Sequence, residues 1–258
     1  MKLYKNITVL ASVTLLSLSL ITLKLNACTK QQKIQPDTVK GFAVLELFTS
    51  EGCSSCPPAE ELLAQIHEET AGQPVFILAY HVDYWDRLGW KDHFSNAAFS
   101  KRQYDYSRHF NGRVYTPQVV VNGATEGVGA DEAFVRSSIK NMLTQPSSAS
   151  LSIKISQQAG KTNLNYETNS NSSNMRLVIA FVQKHAIVNV VRGENAGRTL
   201  SHAQIVRSLS SFQLGKSRAG TESIDLPKDF NPNDWEMIGL LQTGDAGEIL
   251  AATQASIN

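Results

Sequence analysis

Apolar residues run almost unbroken from Phe42 to Phe48, "FAVLELF", and again from Val75 to Val82, "VFILAYHV". Each run has the length of a strand buried on both faces. Between them Ala59, Leu62, Leu63 and Ile66 recur at i, i+3, i+4 and i+7, the spacing of one helix face. Gly72 and Pro74 close that helix. Strand, helix, strand predicts a βαβ unit whose two strands are parallel and covered on both sides. A second helix is predicted from about Ala97 to His109. "YTPQVVVNGATEGV" then reads as two strands about Asn122-Gly123, a strong hairpin signal between apolar runs. Asp131 is placed to cap a last helix bearing Ala133, Phe134, Ser137, Ile139 and Met142.

After "TQPSSAS", residues 144–150, the period changes. "LSIKISQ" alternates, putting Leu151, Ile153 and Ile155 on one face of a strand. Further short strand candidates follow to the end of the chain, separated by turn residues, with "SNSSN" as a polar loop. "HAQIVRSL" fits a strand or a helix. This half is expected to be an antiparallel sheet or sandwich. The expectation is therefore two domains. Residues 41–145 form an α/β domain with a mixed central sheet flanked by helices, and residues 148–258 form a smaller all-β sandwich.

The amino terminus has its own pattern. Lys2 and Lys5 precede an apolar run from Ile7 to about Leu23, and "LNAC" follows at Leu25 to Cys28. These are the parts of an export signal, so residues 1–27 are set apart from fold reasoning. The run is at the short edge of the roughly 17–25 residues that a membrane-spanning helix needs, and Lys24 interrupts its end. Export with cleavage is the expectation, and a permanent membrane anchor is the alternative. "LNAC" resembles the lipobox of bacterial lipoproteins, in which Cys28 becomes the lipid-bearing first residue, although Asn26 is unusual there. Of the 3 cysteines, lipidation of Cys28 would leave one pair, which explains an odd number in an exported chain. Residues 28–40 then read as a flexible tether.

Composition adds limits. With 42% hydrophobic and 18% charged residues and a formal net charge of +1, the chain is ordinary globular material. Basic residues are scattered, without a block that would suit nucleic acid. Loss of Lys2, Lys5 and Lys24 leaves 21 of the 24 basic residues against 23 acidic ones, a net charge of about −2.

The chemistry is concentrated in "ELFTSEGCSSCPPAEELLAQI", residues 46–66. Cys53 and Cys56 fall between the first strand and the first helix. A helix start offers unpaired N–H groups and the positive end of the dipole, which stabilise a thiolate and lower its pKa. Cys53 is then the attacking thiol and Cys56, one turn on, the resolving thiol. Pro57 and Pro58 remove two N–H groups that have no helical partner in the first turn. Two other readings stay open: an inert structural disulfide, and half of a metal site. The latter needs His81, which with Asp83 ends the second strand at the same edge. Soft thiolates plus imidazole would suit Cu(I), making Cys53, Cys56 and His81 a copper-carrier set. The alternative for His81 is a satisfied, partly buried histidine.

The element order β-α-β-α-β-β-α, the Cys-x-x-Cys at a helix start and Thr116-Pro117 before a strand together resemble thioredoxin-like proteins. That resemblance implies a cis Pro117 beside the dithiol, orienting substrate and leaving the backbone of Thr116 free to pair with it. The chain departs from that pattern at Ser54-Ser55, at Gly52 and at Leu47, where a buried Asp would stand. Glu46 is one residue off and faces the other side of the sheet. This puts the usual proton route in doubt. "LELFTSEGCSSCPPAE", "HVDYWDRLGWKD", "YTPQVVVNG" and "RGENAGRTLSH" together look like a family of exported bacterial proteins of unknown function, which carry a thioredoxin-like domain followed by a β-rich one.

Tyr84, Trp85 and Trp90, with Asp83, are candidates for a substrate groove, or else plug the core between helix and sheet. In residues 191–202, Asn195, Arg198 and His202 could reach over the dithiol, or Arg198 could clamp the two halves. The expected function is thiol–disulfide exchange on cell-envelope proteins. It needs no cofactor. Its partners are protein thiols or disulfides, with the membrane met only through Cys28.

Overall fold

The two apolar runs become β1 (Ala43–Thr49) and β2 (Val75–His81), parallel and in register from Ala43 opposite Val75 to Thr49 opposite His81. The computed structural model describes residues 40–158, 161–170, 172 and 174–255. The expected export signal, the candidate lipid-bearing Cys28 and all of the expected tether but Lys40 lie outside the described residues. Among the described residues no helix is long and apolar enough to cross a membrane.

The crossover between the strands is α1 (Pro57–Glu69), with prolines at its first two positions and Ala59, Leu62, Leu63 and Ile66 buried as the spacing requires. These residues pack on Leu45, Leu47, Val119 and Val121, and Val135 and Ile139 from α3 (Glu132–Thr144) join the same cluster. Asp131 caps α3 by accepting the Phe134 N–H. On the other face lies α2 (Ala97–Phe110), whose Asn96 cap accepts from the Ala98 N–H. The aromatic-rich stretch before it contains a short 3-10 helix, Asp83–Leu88, ended by Gly89 in the left-handed region.

β3 (Gln118–Val121) and β4 (Thr125–Val128) form the expected hairpin, with β3 antiparallel to β1. Its turn needs positive φ at both central residues, 49° at Asn122 and 63° at Gly123. The Asn122 side chain accepts from the Val44 N–H and donates to the Phe42 carbonyl, pinning the hairpin to β1. A Cβ at Gly123 would lie 2.3 Å from the Gly247 carbonyl oxygen. Gly123→Ala combines that clash with a left-handed backbone, which costs about 1–2 kcal/mol by itself. The thermal midpoint is expected to fall by roughly 3–8 °C. An unchanged melting curve would show that the turn carries no such constraint.

The second half corrects the expected fold class. Its strands are β5 (Leu151–Gln158), β6 (Lys161–Thr168), β7 (Met175–Asn189), β8 (Thr199–Leu214), β9 (Ala219–Ile224), β10 (Trp235–Thr243) and β11 (Ile249–Gln254). They do not build a separate small sandwich behind a helix-flanked α/β domain. β11, β10, β7 and β8 extend the first sheet into one eight-stranded mixed sheet, ordered β11-β10-β7-β8-β2-β1-β3-β4. The junction is the parallel contact of Ala79 in β2 with Ile205 in β8. One core serves both halves: Phe48, Tyr80, Phe99 and Tyr106 share a cluster with Val178, Ala180, Val206, Ile238 and Leu240. A three-stranded sheet, β5-β6-β9, covers the outer part, packing Ile153, Leu164 and Tyr166 on Leu177, Ile179, Phe181 and Met237. "HAQIVRSL" is strand, part of β8. The physical reason is the edge of β2. Its apolar run is buried on both faces, and an open edge there would leave backbone N–H and C=O groups unpaired.

Polar groups inside this core tie the halves together. Glu46 of β1 is fully buried and accepts from Arg102 Nε of α2 at 2.6 Å. Tyr106 donates its hydroxyl to the same carboxylate. Arg102 also donates to the Gln242 side-chain oxygen of β10 at 3.1 Å, and Gln242 donates to the Tyr106 hydroxyl at 2.8 Å.

Candidate functional site

β1 ends at Thr49, and the chain turns through Glu51 and Gly52 into Cys53-Ser54-Ser55-Cys56. Cys53 and Cys56 are joined by a disulfide. Cys56 is the N-cap residue of α1, so the pair sits at the helix start as its spacing predicts. Both cysteines are 0% exposed, whereas Ser54 and Ser55 between them face solvent. The Ser55 hydroxyl lies 3.4 Å from Cys53 Sγ.

The cover comes from residues 191–198, the loop between β7 and β8. Buried Asn195 donates both hydrogens of its side-chain amide, to the Glu51 carbonyl at 2.8 Å and to the Cys53 carbonyl at 3.0 Å. Glu194 accepts from the Ser54 N–H at 3.1 Å and hydroxyl at 2.7 Å. Those two bonds hold its carboxyl below the usual range. Arg198 does not reach the disulfide. It donates to Asn195 Oδ1 at 2.9 Å and so orients the amide that does.

On another side Trp85 packs against Gly52, where an added Cβ would lie 3.3 Å from the Trp85 Cβ. This explains a glycine before Cys53. The Trp85 indole N–H donates to the Thr116 hydroxyl at 2.9 Å. The Thr116–Pro117 bond is cis, and a Cβ at Gly129 would contact Pro117, Ala59 and Leu47 together. Trp85, Thr116 and Pro117 thus gather around the start of α1. Asp83 and Tyr84 turn elsewhere: the Asp83 carboxylate accepts from Ser100 and the Tyr84 hydroxyl donates to Gln103, both on α2.

Behind the disulfide lies a buried set of carboxylates and imidazoles. Glu60, one turn past Cys56 in α1, accepts from the Thr49 hydroxyl at 2.5 Å and meets His202 Nδ1 of β8 at 2.5 Å. His81, at the end of β2, meets Asp92 with Nδ1 at 2.7 Å. Asp92 also accepts from the backbone N–H groups of Glu51 and Phe94. The Glu51 carboxylate accepts from the Trp90 indole at 2.6 Å and pairs with His93 at 3.1 Å. Burial disfavours a charged His81, but Asp92 outweighs it, helped by Glu60 and Glu51, and His81 is raised to about 9. Burial likewise pushes the Glu60 and Asp92 carboxyls up, yet their histidine partners hold both below the usual range.

Among the described residues, Glu60, His81 and His202 are the group able to share a metal ion, with one ligand atom of each within 4.8 Å of the others. Neither cysteine belongs to it. His81 is fully buried and paired with Asp92, while the cysteines pair with each other.

Sequence reasoning singled out Cys53, Cys56, Thr116, Pro117, Trp85, Asn195 and His202, and the fold brings them to one end of the sheet. It passed over Glu60, Asp92 and Glu194. Glu60 had a readable signal: it lies four residues past Cys56 and three before Leu63, so a carboxylate shares the buried helix face. Asp92 and Glu194 had none, because the Glu51 N–H that reaches Asp92 and the Ser54 groups that reach Glu194 lie 41 and 140 residues away.

A mixed sheet whose helix-capping disulfide is covered by a loop from the far half of the chain marks a protein in which both halves build one site. The chain belongs to the DUF1223 family, described as a protein of unknown function, whose model matches residues 44–242. It is similar to the crystal structure of protein AGR_C_4864 from Agrobacterium tumefaciens, with a TM-score of 0.63 and 29% identity over 84% of this chain and 94% of that one. It also shares its fold with HBP35 of Porphyromonas gingivalis, with a TM-score of 0.55 and 16% identity over 85% of this chain and 76% of that one. No curated protein matches the chain.

Proposed function

We propose that the protein carries out thiol–disulfide exchange through Cys53 and Cys56, acting on exported proteins of the cell envelope. The observation that carries this reading is a closed Cys53–Cys56 disulfide at the start of α1, where a released thiolate meets the positive end of the helix. The reduced pair works in two steps. The Cys53 thiolate attacks a substrate disulfide, forming a mixed disulfide and expelling one substrate thiolate. Cys56 then attacks Cys53 Sγ, closing the protein's disulfide and releasing the second substrate thiol. The substrate gains two electrons and the pair loses them; run backwards, the same steps oxidise a substrate dithiol. A second dithiol or disulfide protein resets the pair. The envelope assignment rests on the amino-terminal pattern of residues 1–27, and Cys28 is the proposed lipid anchor.

Burial of both sulfurs means that substrate gains access only when residues 191–198 lift from Ser54 and Cys53. The same burial favours a second reading, a disulfide that only braces the turn. Cys56→Ser separates the two. Incubated with oxidised glutathione, it is expected to accumulate a mixed disulfide at Cys53, visible as a mass increase on the intact chain, while Cys53→Ser gains none there. A Cys53 that stays unmodified for hours in Cys56→Ser would leave the brace.

A further inference from the structure

Three carboxylates and two imidazoles are buried together behind the disulfide. Glu51, Glu60 and Asp92 are 0%, 7% and 1% exposed, and His81 and His202 are 0% and 1% exposed. Each histidine shows the same half-finished arrangement. His81 gives Nδ1 to Asp92, and His202 gives Nδ1 to Glu60. In both rings Nε2 is buried with no hydrogen-bond partner. An imidazole whose Nδ1 is fixed by a carboxylate while Nε2 points free is the arrangement that supports a metal-ligating histidine. The two rings are neighbours, with centroids 5.0 Å apart and planes at 75°. Glu51 Oε1 lies 4.0 Å from His202 Nε2.

We propose that Glu60, His81 and His202, with Glu51 alongside, form a binding site for one divalent transition-metal ion of the zinc class. Nitrogen and carboxylate donors in this mixture suit zinc and its first-row neighbours and offer little to calcium or magnesium. Ligand atoms of a tetrahedral zinc with bonds of about 2.0–2.1 Å stand roughly 3.4 Å apart. The donors here lie within 4.8 Å of one another, and Glu60 closes the site by exchanging its 2.5 Å contact with His202 Nδ1 for the ion. A dication would supply positive charge among the buried carboxylates of Glu51, Glu60 and Asp92. Its ligands come from α1, β2 and β8, so the ion would fasten the far half of the chain to the helix that carries Cys56. The site is distinct from the thiol chemistry and stands whether or not the disulfide exchanges.

The test uses the full mature chain with its disulfide intact, so that thiolates cannot ligate. The protein is stripped with chelator, loaded with zinc, desalted and analysed for bound metal. About one zinc per chain is expected, with a higher thermal midpoint than the stripped protein. His81→Gln and His202→Gln are each expected to weaken zinc binding at least tenfold, while Cys53→Ser/Cys56→Ser retains it. To keep the test independent of how the histidine variants fold, X-ray absorption on the zinc-loaded wild-type chain, oxidised and then reduced, is the second measurement. A shell of nitrogen and oxygen at about 2.0–2.1 Å in both states is expected. No retained zinc and no thermal shift in the wild type would overturn the site, as would zinc lost with the cysteines or a sulfur shell near about 2.3 Å after reduction.

Discussion

Arg102→Ala is expected to destabilise the protein by about 3–5 kcal/mol, since it strands a buried, unpaired carboxylate. Glu46 is 0% exposed and Arg102 is its cationic partner at 2.6 Å. Total stabilities of domains run to about 5–15 kcal/mol, so this one change removes a large share. The loss spreads through the network, because Arg102 also bonds Gln242 of β10 and the Tyr106 hydroxyl. The expected control is Arg102→Met combined with Glu46→Leu. Replacing a buried pair by apolar groups of similar volume is often near neutral, so the double variant should recover most of the loss. Urea unfolding of both measures it. A cost below about 1 kcal/mol for Arg102→Ala would mean that solvent reaches Glu46 and that this core is not sealed.

The second large effect is on the disulfide. Asn195→Ala is expected to speed reduction of Cys53–Cys56 by a chemical dithiol roughly 10- to 100-fold. The side-chain amide satisfies two carbonyls, those of Glu51 and Cys53. A buried group left without its partner costs about 1–3 kcal/mol, and each 1.4 kcal/mol of easier loop opening is about tenfold in rate. Glu194→Ala should act more weakly, because its bonds to Ser54 are exposed to solvent. Arg198→Ala should fall between, since it orients Asn195 through one bond. A modest change in the urea midpoint beside a large change in reduction rate would locate the effect in local opening. An unchanged reduction rate in Asn195→Ala would show that the loop does not control access.

The local parts of this account were legible in the chain. Apolar runs located β1 and β2, the i, i+3, i+4, i+7 spacing located α1, and Asn122-Gly123 located the hairpin, because each depends on neighbouring residues alone. The placement of Cys53 and Cys56 followed from that frame. What could not be read was the partner of an edge. β8 alternates as any half-buried strand does, and nothing local says that Ile205 sits beside Ala79 and joins the two halves. The polar network was hidden for the same reason. Glu60 and Asp92 look unremarkable along the chain, and their pairing with His202 and His81 appears only when α1, β2 and β8 meet. Tyr84 and Asp83 show the converse: adjacency to Trp85 made them groove candidates, yet the short helix turns them toward α2.

The most direct test of exchange activity is the reduction potential of the Cys53–Cys56 pair. The chain from residue 29 to residue 258 is equilibrated in metal-free thiol buffers and its free thiols are trapped by alkylation. A potential between about −120 and −270 mV, the span of known exchange proteins, is the expected result. A potential below about −300 mV, where structural disulfides lie, would contradict the exchange reading and leave Cys53–Cys56 as a brace under the Asn195 loop.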